Sequence, residues 1–326
     1  MLERLFNASW YGWFQWTWLL YPLTILVSVI TKRKRQTFLA NNPQPFSVPV
    51  IVVGNITIGG TGKTPVVQSL VRYLQSLGYN PGIVSRGYGG SLDQFPHIIT
   101  TDDSCDVVGD EPFMLSRSLG VPVVVDPVRT RGVKHLIEHG VSIVISDDGL
   151  QHYQMYRDYE VCVVDGSRGL GNQQIMPVGP LREGTDRLSS VDYVLTSESK
   201  LSDHSFQIEP VCWVNVKTQE QVAINALRIN DGAMAIAGIG NPEKFKQTLS
   251  ELNIHVEHKW FSDHYAYSES DLNQLPSQIL MTEKDAVKIK RFASKDMWYL
   301  QIAANLPQVF KNNIKYSLDN WVRDHG

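Results

Sequence analysis

A glycine-rich segment that ends in Lys63 and Thr64 carries the clearest chemistry in the sequence. Residues 54–64 are GNITIGGTGKT, between an apolar β-branched run and an amphipathic stretch. Glycines let backbone N–H groups turn towards phosphate oxygens, a lysine neutralises β/γ-phosphate charge, and a threonine hydroxyl can ligate Mg²⁺. The usual GxxxxGK[ST] pattern has glycine where this chain has Thr57, so the loop is a variant. The alternative is a tight strand-to-helix turn that binds no phosphate and in which glycine only makes the backbone conformation possible. The predicted phosphate-binding residues are Thr57, Ile58, Gly59, Gly60, Thr61, Gly62, Lys63 and Thr64.

Two pairs of carboxylates lie where a predicted strand ends and where a predicted helix begins. Asp147 and Asp148 follow the apolar run 141–146, where a Walker B aspartate would hold Mg²⁺ directly or through water, although Asp-Asp-Gly is also ordinary turn chemistry. Asp110 and Glu111 begin an expected helix, which Asp110 could simply cap. In the catalytic interpretation Asp110 accepts a proton from an attacking hydroxyl. The predicted metal ligands are Thr64, Glu111, Asp147 and Asp148.

His264 and a set of arginines complete the candidate site. A lone histidine is more often structural than catalytic, but pairing His264 with Asp110 across a cleft would orient and polarise the base. Arginines lie in the loop-like segments 127–131 and 179–183, and arginine suits bidentate phosphate recognition, though each could equally be a surface residue. Gln151 and His152 follow Asp148 at the same edge, where a solvated surface pair is the alternative.

Alternating strand and helix patterns must position these residues. Continuous apolar strands that alternate with helices predict an α/β fold with a parallel sheet covered by helices on both faces, in which loops at one sheet edge form the ligand crevice. The segment 197–209 has no clear periodicity. The expected strands are 48–53, 82–85, 121–125, 141–146, 160–165 and 193–196, and the expected helices are 65–77, 111–119 and 129–139. A second, shorter α/β pattern comprises 233–237, 242–252, 278–281 and 298–302.

The N-terminal segment differs from the rest of the chain. It has no charged residue between Leu5 and Ile30, it contains Trp10, Trp13, Trp16 and Trp18, and it is followed by the basic block 32–35. Residues 10–30 would extend about 31 Å as a helix. Aromatic residues and Pro22 favour the bilayer interface over a full span, and the positive-inside rule places the downstream chain in the cytoplasm. A buried core helix is the alternative, and the choice between spanning and lying on the bilayer is open.

Length and composition narrow the function classes. The 326 residues are predicted to form an N-terminal membrane-associated helix and basic block (1–40), a P-loop domain (41–225) and a smaller C-terminal α/β domain (226–326). The net charge of −3 gives no reason to expect nucleic-acid binding. Cys105, Cys162 and Cys212 are widely spaced, which indicates neither a disulfide framework nor a zinc site and fits a reducing compartment.

The sequence resembles the tetraacyldisaccharide 4'-kinase (lipid A 4'-kinase) family of Gram-negative bacteria over nearly its whole length. The matching segments, in order, are GGTGKTP, SRGYGG, GDEP, DDGLQH, residues 177–183, AGIGNPEKF, Asp263-His264 and MTEKDAVK. The resemblance implies transfer of phosphate from ATP to the 4'-hydroxyl of a tetraacylated glucosamine disaccharide 1-phosphate, a lipid A precursor.

The resemblance also implies roles for particular residues. It places the catalytic base, an Asp-His pair, at Asp110 and His264, with Lys63 on the phosphates and Mg²⁺ nearby. The enzyme would act at the cytoplasmic face of the inner membrane, with no obligate protein partner. It implies substrate contacts from Tyr88, Arg129, Gln151, His152, Arg182 and Glu183. The alternative is a membrane-associated P-loop NTPase that acts as a switch or targeting factor. However, Thr282-Glu283-Lys284-Asp285 departs from the guanine-reading [NT]KxD pattern.

Overall fold

One long β-sheet runs through the computed structural model, which describes residues 2–13, 15–41, 43–197 and 202–325. Most neighbouring strands are parallel, and the order is β11-β10-β12-β13-β8-β7-β6-β1-β5-β2-β4-β3, with β9 paired to β8. The strands are β1 Val50–Gly54, β2 Pro81–Ser85, β3 His97–Ile98, β4 Val123–Val125, β5 Ile143–Asp147, β6 Tyr159–Asp165, β7 Tyr193–Ser197, β8 Ser205–Asn215, β9 Gln221–Ala223, β10 Met234–Ala237, β11 Glu257–Trp260, β12 Ile279–Thr282 and β13 Met297–Asn305.

Helices connect the strands and pack on both faces of the first half of the sheet, so the expected α/β class is confirmed. The helices are α1 Leu2–Tyr11, α2 Tyr21–Asn41, α3 Lys63–Ser76, α4 Cys105–Val108, α5 Asp110–Leu119, α6 Arg129–Glu138, α7 Pro242–Glu251, α8 Glu269–Asn273, α9 Glu283–Ile289 and α10 Gln308–His325. Short 3₁₀ turns occupy Trp16–Leu20, Thr185–Ser190, Ile224–Ala226 and Lys290–Phe292.

The order of the strands brings the two predicted phosphate-site segments together. Strand β1 lies between β5 and β6, parallel to both, and Val53 is in register with Asp147. The glycine-rich loop after β1 and the two aspartates at the end of β5 therefore emerge side by side. This is the carboxyl edge of the parallel strands, where α/β proteins bind ligands.

Strand β8 joins the two halves of the sheet, because it pairs in parallel with β7 and antiparallel with β13. This long strand begins within the segment for which the sequence showed no periodicity. The last helix, α10, returns to the first half, where Phe310, Ile314 and Leu318 pack in the same core as helix α3. The domain boundary expected near residue 225 stays a prediction, and the structure adds that the chain ends on the core of the first half.

The N-terminal segment forms α1, a 3₁₀ turn and α2, and docks on the loop that precedes Arg182. The Thr17 hydroxyl donates to the Val178 carbonyl at 2.7 Å, and the Trp10 indole donates to the Pro177 carbonyl at 3.0 Å. Pro22 lies in the first turn of α2, which continues through the basic block. No single helix among the described residues is long and apolar enough to cross a membrane. One pair of helical segments meets that criterion together, by length and composition only, and the two segments are bent by 100° relative to each other: Leu5–Tyr11 and Trp16–Asn41.

Candidate active site

A large cleft opens at the carboxyl edge of the sheet, between the two halves of the chain. Its volume is about 2030 Å³. The first half contributes the loop after β1 and the residues after β5, the second half contributes α7 and the start of α9, and α2 lines one end. The predicted residues that line it are Ile58, Gly59, Gly60, Gly62, Lys63, Thr64, Tyr88, Glu111, Arg129, Asp147, Asp148, Gln151, His152, Arg182 and His264.

The glycine-rich loop is held by a neighbouring segment as well as by its own strand and helix. Ile58 N–H donates to the Pro180 carbonyl at 2.9 Å, and Arg182 N–H donates to the Ile56 carbonyl at 2.7 Å. Thr57, where the common pattern has glycine, forms a β-bridge with Leu181 and is buried. Extended pairing needs no glycine, which explains the variant. Gly62 does need one, because its φ is +86° at the start of α3.

Lys63 and Asp148 form the charged centre beside this loop. Lys63 Nζ lies 3.5 Å from Asp148 Oδ1, and Arg182 Nη1 lies 3.0 Å from Asp148 Oδ2. Burial acts to raise the pKa of Asp148, but the two cations outweigh it and hold the pKa below the usual range. The carboxylate predicted as a metal ligand is therefore ion-paired to two residues that were predicted to contact phosphate or substrate.

Asp147 is the residue whose surroundings best fit a cation. Its side chain is buried, and Oδ1 has no hydrogen-bond partner. Burial, with Glu111 and Asp148 nearby, raises the pKa of Asp147. Within the described ranges no three His, Cys, Asp or Glu side chains form a ready metal cluster. Mg²⁺ usually takes one or two carboxylates plus water and phosphate oxygens, so an unpartnered aspartate that lines the same cleft as Thr64 suits that mode.

Asp110 and His264, which are 154 residues apart in sequence, meet across the cleft. Asp110 Oδ2 lies 3.0 Å from His264 Nδ1. Asp110 is the first residue of α5, and Gly109 occupies the cap position with no side-chain capping bond, so Asp110 does not cap the helix. His264 has a φ of +56°. The Tyr88 ring packs edge-on against the His264 ring, with centroids 5.6 Å apart.

The other predicted substrate residues form a connected polar network. Gln151 Nε2 donates to Glu183 Oε1 at 2.8 Å, and the Tyr153 hydroxyl donates to Glu183 Oε2. Arg129 is buried and donates to the backbone carbonyls of Asp147 and Asp148 at 2.6 and 2.8 Å. Its two terminal nitrogens thus hold the loop after β5.

His152 lines the same cleft. Burial, with the cations Arg129, Arg157 and Arg86 around it, lowers the pKa of His152 to about 4. The imidazole is therefore neutral near pH 7. Its Nε2 is buried and has no hydrogen-bond partner, so it is a polar atom that a bound molecule could satisfy.

Sequence reasoning missed Arg168, which follows β6. The guanidinium donates to the Gly60 carbonyl of the glycine-rich loop and lies 3.2 Å from Asp165 Oδ2. Lys244 of helix α7 joins the same carboxylate at 3.0 Å. The Tyr11 ring of α1 lies 5.8 Å from the Arg168 guanidinium carbon. No local motif marks Arg168, because its role depends on a loop 108 residues earlier.

The fold and the cleft define an α/β enzyme of the phosphotransferase class, in which a glycine-rich loop and the histidine of a carboxylate–histidine pair line one cavity. Comparison with known proteins narrows the class. The family model for tetraacyldisaccharide-1-P 4'-kinase matches residues 16–319. The tetraacyldisaccharide 4'-kinase of Vibrio cholerae serotype O1 is 44% identical over 313 residues, which cover 93% of this chain and 92% of that protein.

Two further relatives agree. The tetraacyldisaccharide 4'-kinase of Legionella pneumophila is 42% identical over 306 residues, which cover 93% of this chain and 94% of that protein. The crystal structure of "apo" form LpxK from Aquifex aeolicus in complex with ATP matches with a TM-score of 0.77 and 26% identity, covering 93% of this chain and 99% of that one. The chain belongs to the tetraacyldisaccharide-1-P 4'-kinase family.

Proposed function

We propose that the protein transfers the γ-phosphate of ATP to the 4'-hydroxyl of a tetraacyldisaccharide 1-phosphate. The observation that carries the proposal is that His264, whose Nδ1 lies 3.0 Å from Asp110 Oδ2, lines the same cleft as Lys63 and its glycine-rich loop. A proton acceptor and a phosphate cradle in one cavity are what in-line transfer to an alcohol needs, since catalysis there is mostly positioning and charge stabilisation. Membership of the family supports the substrate.

The glycine-rich loop would act as a P-loop that holds the nucleotide. Loop N–H groups and the N-terminus of α3 would hold the β- and γ-phosphates, and Lys63 would neutralise their charge. Lys63 is already 3.5 Å from Asp148, so this carboxylate keeps the ammonium aimed into the cleft. Arg168 would fix the loop from the other side through the Gly60 carbonyl.

Asp110 would take the proton of the sugar hydroxyl as the new O–P bond forms. The hydrogen bond to His264 engages Oδ2 and leaves Oδ1 for the hydroxyl. The hydrogen bond also orients the carboxylate of Asp110, which is the first residue of α5.

Thr64, Asp147 and Glu111 are the residues that would hold Mg²⁺, with Asp148 beside them. Asp147 supports this assignment, because a buried carboxylate oxygen without a partner is costly and a cation would satisfy it. Bound Mg²⁺ neutralises charge that develops on the transferred phosphoryl group.

The acyl disaccharide would occupy the end of the cleft lined by α2, next to Gln151 and Arg182, with Glu183 behind Gln151 as its hydrogen-bond partner. We further propose that α1 and α2 attach the enzyme to the cytoplasmic face of the inner membrane. Large apolar side chains of this segment are exposed, among them Trp13 at 94% and Leu19 at 84%, and the basic block suits an anionic lipid surface. Flotation of the full chain with anionic vesicles, compared between Leu19→Glu and the distant control Val309→Glu, tests this attachment.

Transfer of label from γ-labelled ATP tests the function. Wild-type protein is expected to label tetraacyldisaccharide 1-phosphate in mixed micelles, and Lys63→Ala is expected to lose that transfer. Label released only as inorganic phosphate from the wild type, with none on the lipid, would overturn the proposal and favour an NTPase.

A further inference from the structure

Lys284, at the start of helix α9, lies on the far side of His264 from Asp110. Its Nζ is 3.3 Å from His264 Nε2, 3.4 Å from Asp263 Oδ1 and 3.4 Å from Glu111 Oε1. The side chain is 15% exposed. The ammonium therefore has one neighbour for each of its three N–H bonds, two of them carboxylates.

The chemistry of an ammonium group decides which way the contact to His264 runs. A charged lysine has three donors and no acceptor, so it approaches an imidazole nitrogen favourably only where that nitrogen carries a lone pair. Lys284 Nζ lies within 3.4 Å of a carboxylate oxygen of both Glu111 and Asp263, and a lysine placed between two carboxylates keeps its ordinary positive charge. His264 Nε2 must then be the acceptor.

We propose that Lys284 is a positioning residue that fixes His264 in the Nδ1–H tautomer. With Nε2 occupied as an acceptor, the ring proton lies on Nδ1, and Nδ1–H donates to Asp110 Oδ2 at 3.0 Å. This assignment rests on the proposed function and deepens it. The proton of the sugar hydroxyl goes to Asp110, where a new O–H bond forms as the O–H bond of the sugar hydroxyl breaks. His264 keeps its own proton throughout and orients the carboxylate.

The other charged and aromatic neighbours of His264 are compatible with this tautomer. Asp263 Oδ1 lies 3.9 Å from Nε2, beyond hydrogen-bond distance, and it accepts instead from the backbone N–H of His264 at 3.0 Å and from Lys284. The Tyr88 ring packs against the His264 ring in a T-shaped arrangement, with centroids 5.6 Å apart. In water the neutral imidazole favours the Nε2–H form, so Lys284 selects the tautomer that the side chain would otherwise populate less.

Long-range ¹H–¹⁵N spectra of the full chain, labelled with ¹⁵N-histidine in detergent micelles, test the assignment. The His264 signals are identified by their loss in His264→Gln. The wild type is expected to show protonated Nδ1 and unprotonated Nε2, and Lys284→Met is expected to move His264 towards the Nε2–H form. An Nε2–H signal in the wild type, or an unchanged tautomer in folded Lys284→Met, would overturn the inference.

Kinetics separate positioning from a structural role. Lys284→Met is expected to lower kcat by about 10- to 100-fold with little change in the KM for ATP, while Lys284→Arg, which keeps the charge and the donors, restores most of it. In a His264→Ala background Lys284→Met is expected to cause no further loss, and equal losses in both backgrounds would overturn the inference. Lys290→Met, an exposed lysine near the end of α9, is the matched control.

The experiments distinguish a failure of the role of Lys284 from a failure of the proposed function. The tautomer is measured without turnover, so a protein with the expected spectrum and no phosphate transfer to lipid would contradict the proposed function alone. A protein that phosphorylates the lipid while His264 carries its proton on Nε2 would contradict the role of Lys284 alone.

Discussion

Gly109 immediately precedes the proposed base, and replacing it with alanine tests whether the backbone there positions Asp110. Its φ of +95° and ψ of 148° lie in a region that only glycine adopts readily. A Cβ at this position would lie 2.8 Å from the Tyr88 carbonyl oxygen and 3.3 Å from the Gly87 carbonyl carbon. Both contacts are with backbone, so neither can be relieved by a change of rotamer.

The expected cost of Gly109→Ala follows from these two effects. Backbone strain in such a region costs about 1–3 kcal/mol, and forcing an atom into a packed contact costs about 1–3 kcal/mol more. Loss of freedom in the unfolded chain returns roughly 0.4–1 kcal/mol. The free energy of unfolding should therefore fall by about 1–5.5 kcal/mol. Gly120→Ala is the matched control, since Gly120 ends the same helix at a φ of +63° with no atom within 4 Å of an added Cβ.

Urea unfolding followed by circular dichroism, together with kcat for phosphate transfer, measures both consequences. We expect Gly109→Ala to lose most of its activity even where it remains folded, because the alanine displaces Asp110 relative to His264. Gly120→Ala should be destabilised by about 1 kcal/mol or less and remain active. A Gly109→Ala protein as stable and as active as Gly120→Ala would refute the reasoning.

Three further predictions concern single charged groups. Asp110→Asn should lower kcat by about 10²- to 10⁴-fold, because the amide can still accept a hydrogen bond from His264 but cannot take a proton. The control is Asp106→Asn, since Asp106 lies four residues earlier and is 56% exposed, and it should change kcat less than twofold in the same assay. Equal losses of kcat in the two variants would contradict the assignment of Asp110 as the base. Arg168→Gln should raise the KM for ATP more than it lowers kcat, since the loop loses its tie at the Gly60 carbonyl, and an unchanged KM would count against that tie. Burial acts to raise the pKa of Asp165, but a Ser167 hydrogen bond and Lys244 outweigh it and lower the pKa to about 2. The stabilising effect of Asp165 over Asn is therefore present above about pH 4 and lost as pH falls towards 2, which acid-dependent thermal unfolding of the two proteins checks.

The sequence predicts the first half of the fold well because its strands are continuous apolar runs between clear turn signals. Strand β1 and helix α3 lie within two residues of their expected bounds. Strand β8 escaped prediction because its exposure is irregular: it begins buried at Ser205, where it pairs with β7 of the first half, becomes exposed near Pro210 and is buried again near Asn215. Helix α10 was also missed, although Phe310, Ile314 and Leu318 have helical spacing.

Some residues of the candidate site can likewise be predicted from a local sequence pattern, and others cannot. Lys63 and Thr64 belong to one contiguous loop, so their pattern is visible in sequence. The contact of Asp110 with His264 depends on how the two halves of the chain meet, which no local pattern encodes. The residues alone suggested the pair only as a hypothesis, and the resemblance to the family implied it. Arg168 and Lys284 carry no local signal for the same reason, since each acts on a residue from a distant segment.

Phosphorus-31 NMR of the reaction product is the most direct test of the central claim, that this cleft phosphorylates the disaccharide at its 4'-hydroxyl. With ATP, Mg²⁺ and tetraacyldisaccharide 1-phosphate, the wild type should give a lipid with a second phosphomonoester signal, coupled to the proton at the 4' position, and Asp110→Asn should not. A wild-type lipid product with only its original 1-phosphate signal, while ATP is consumed, would contradict the account.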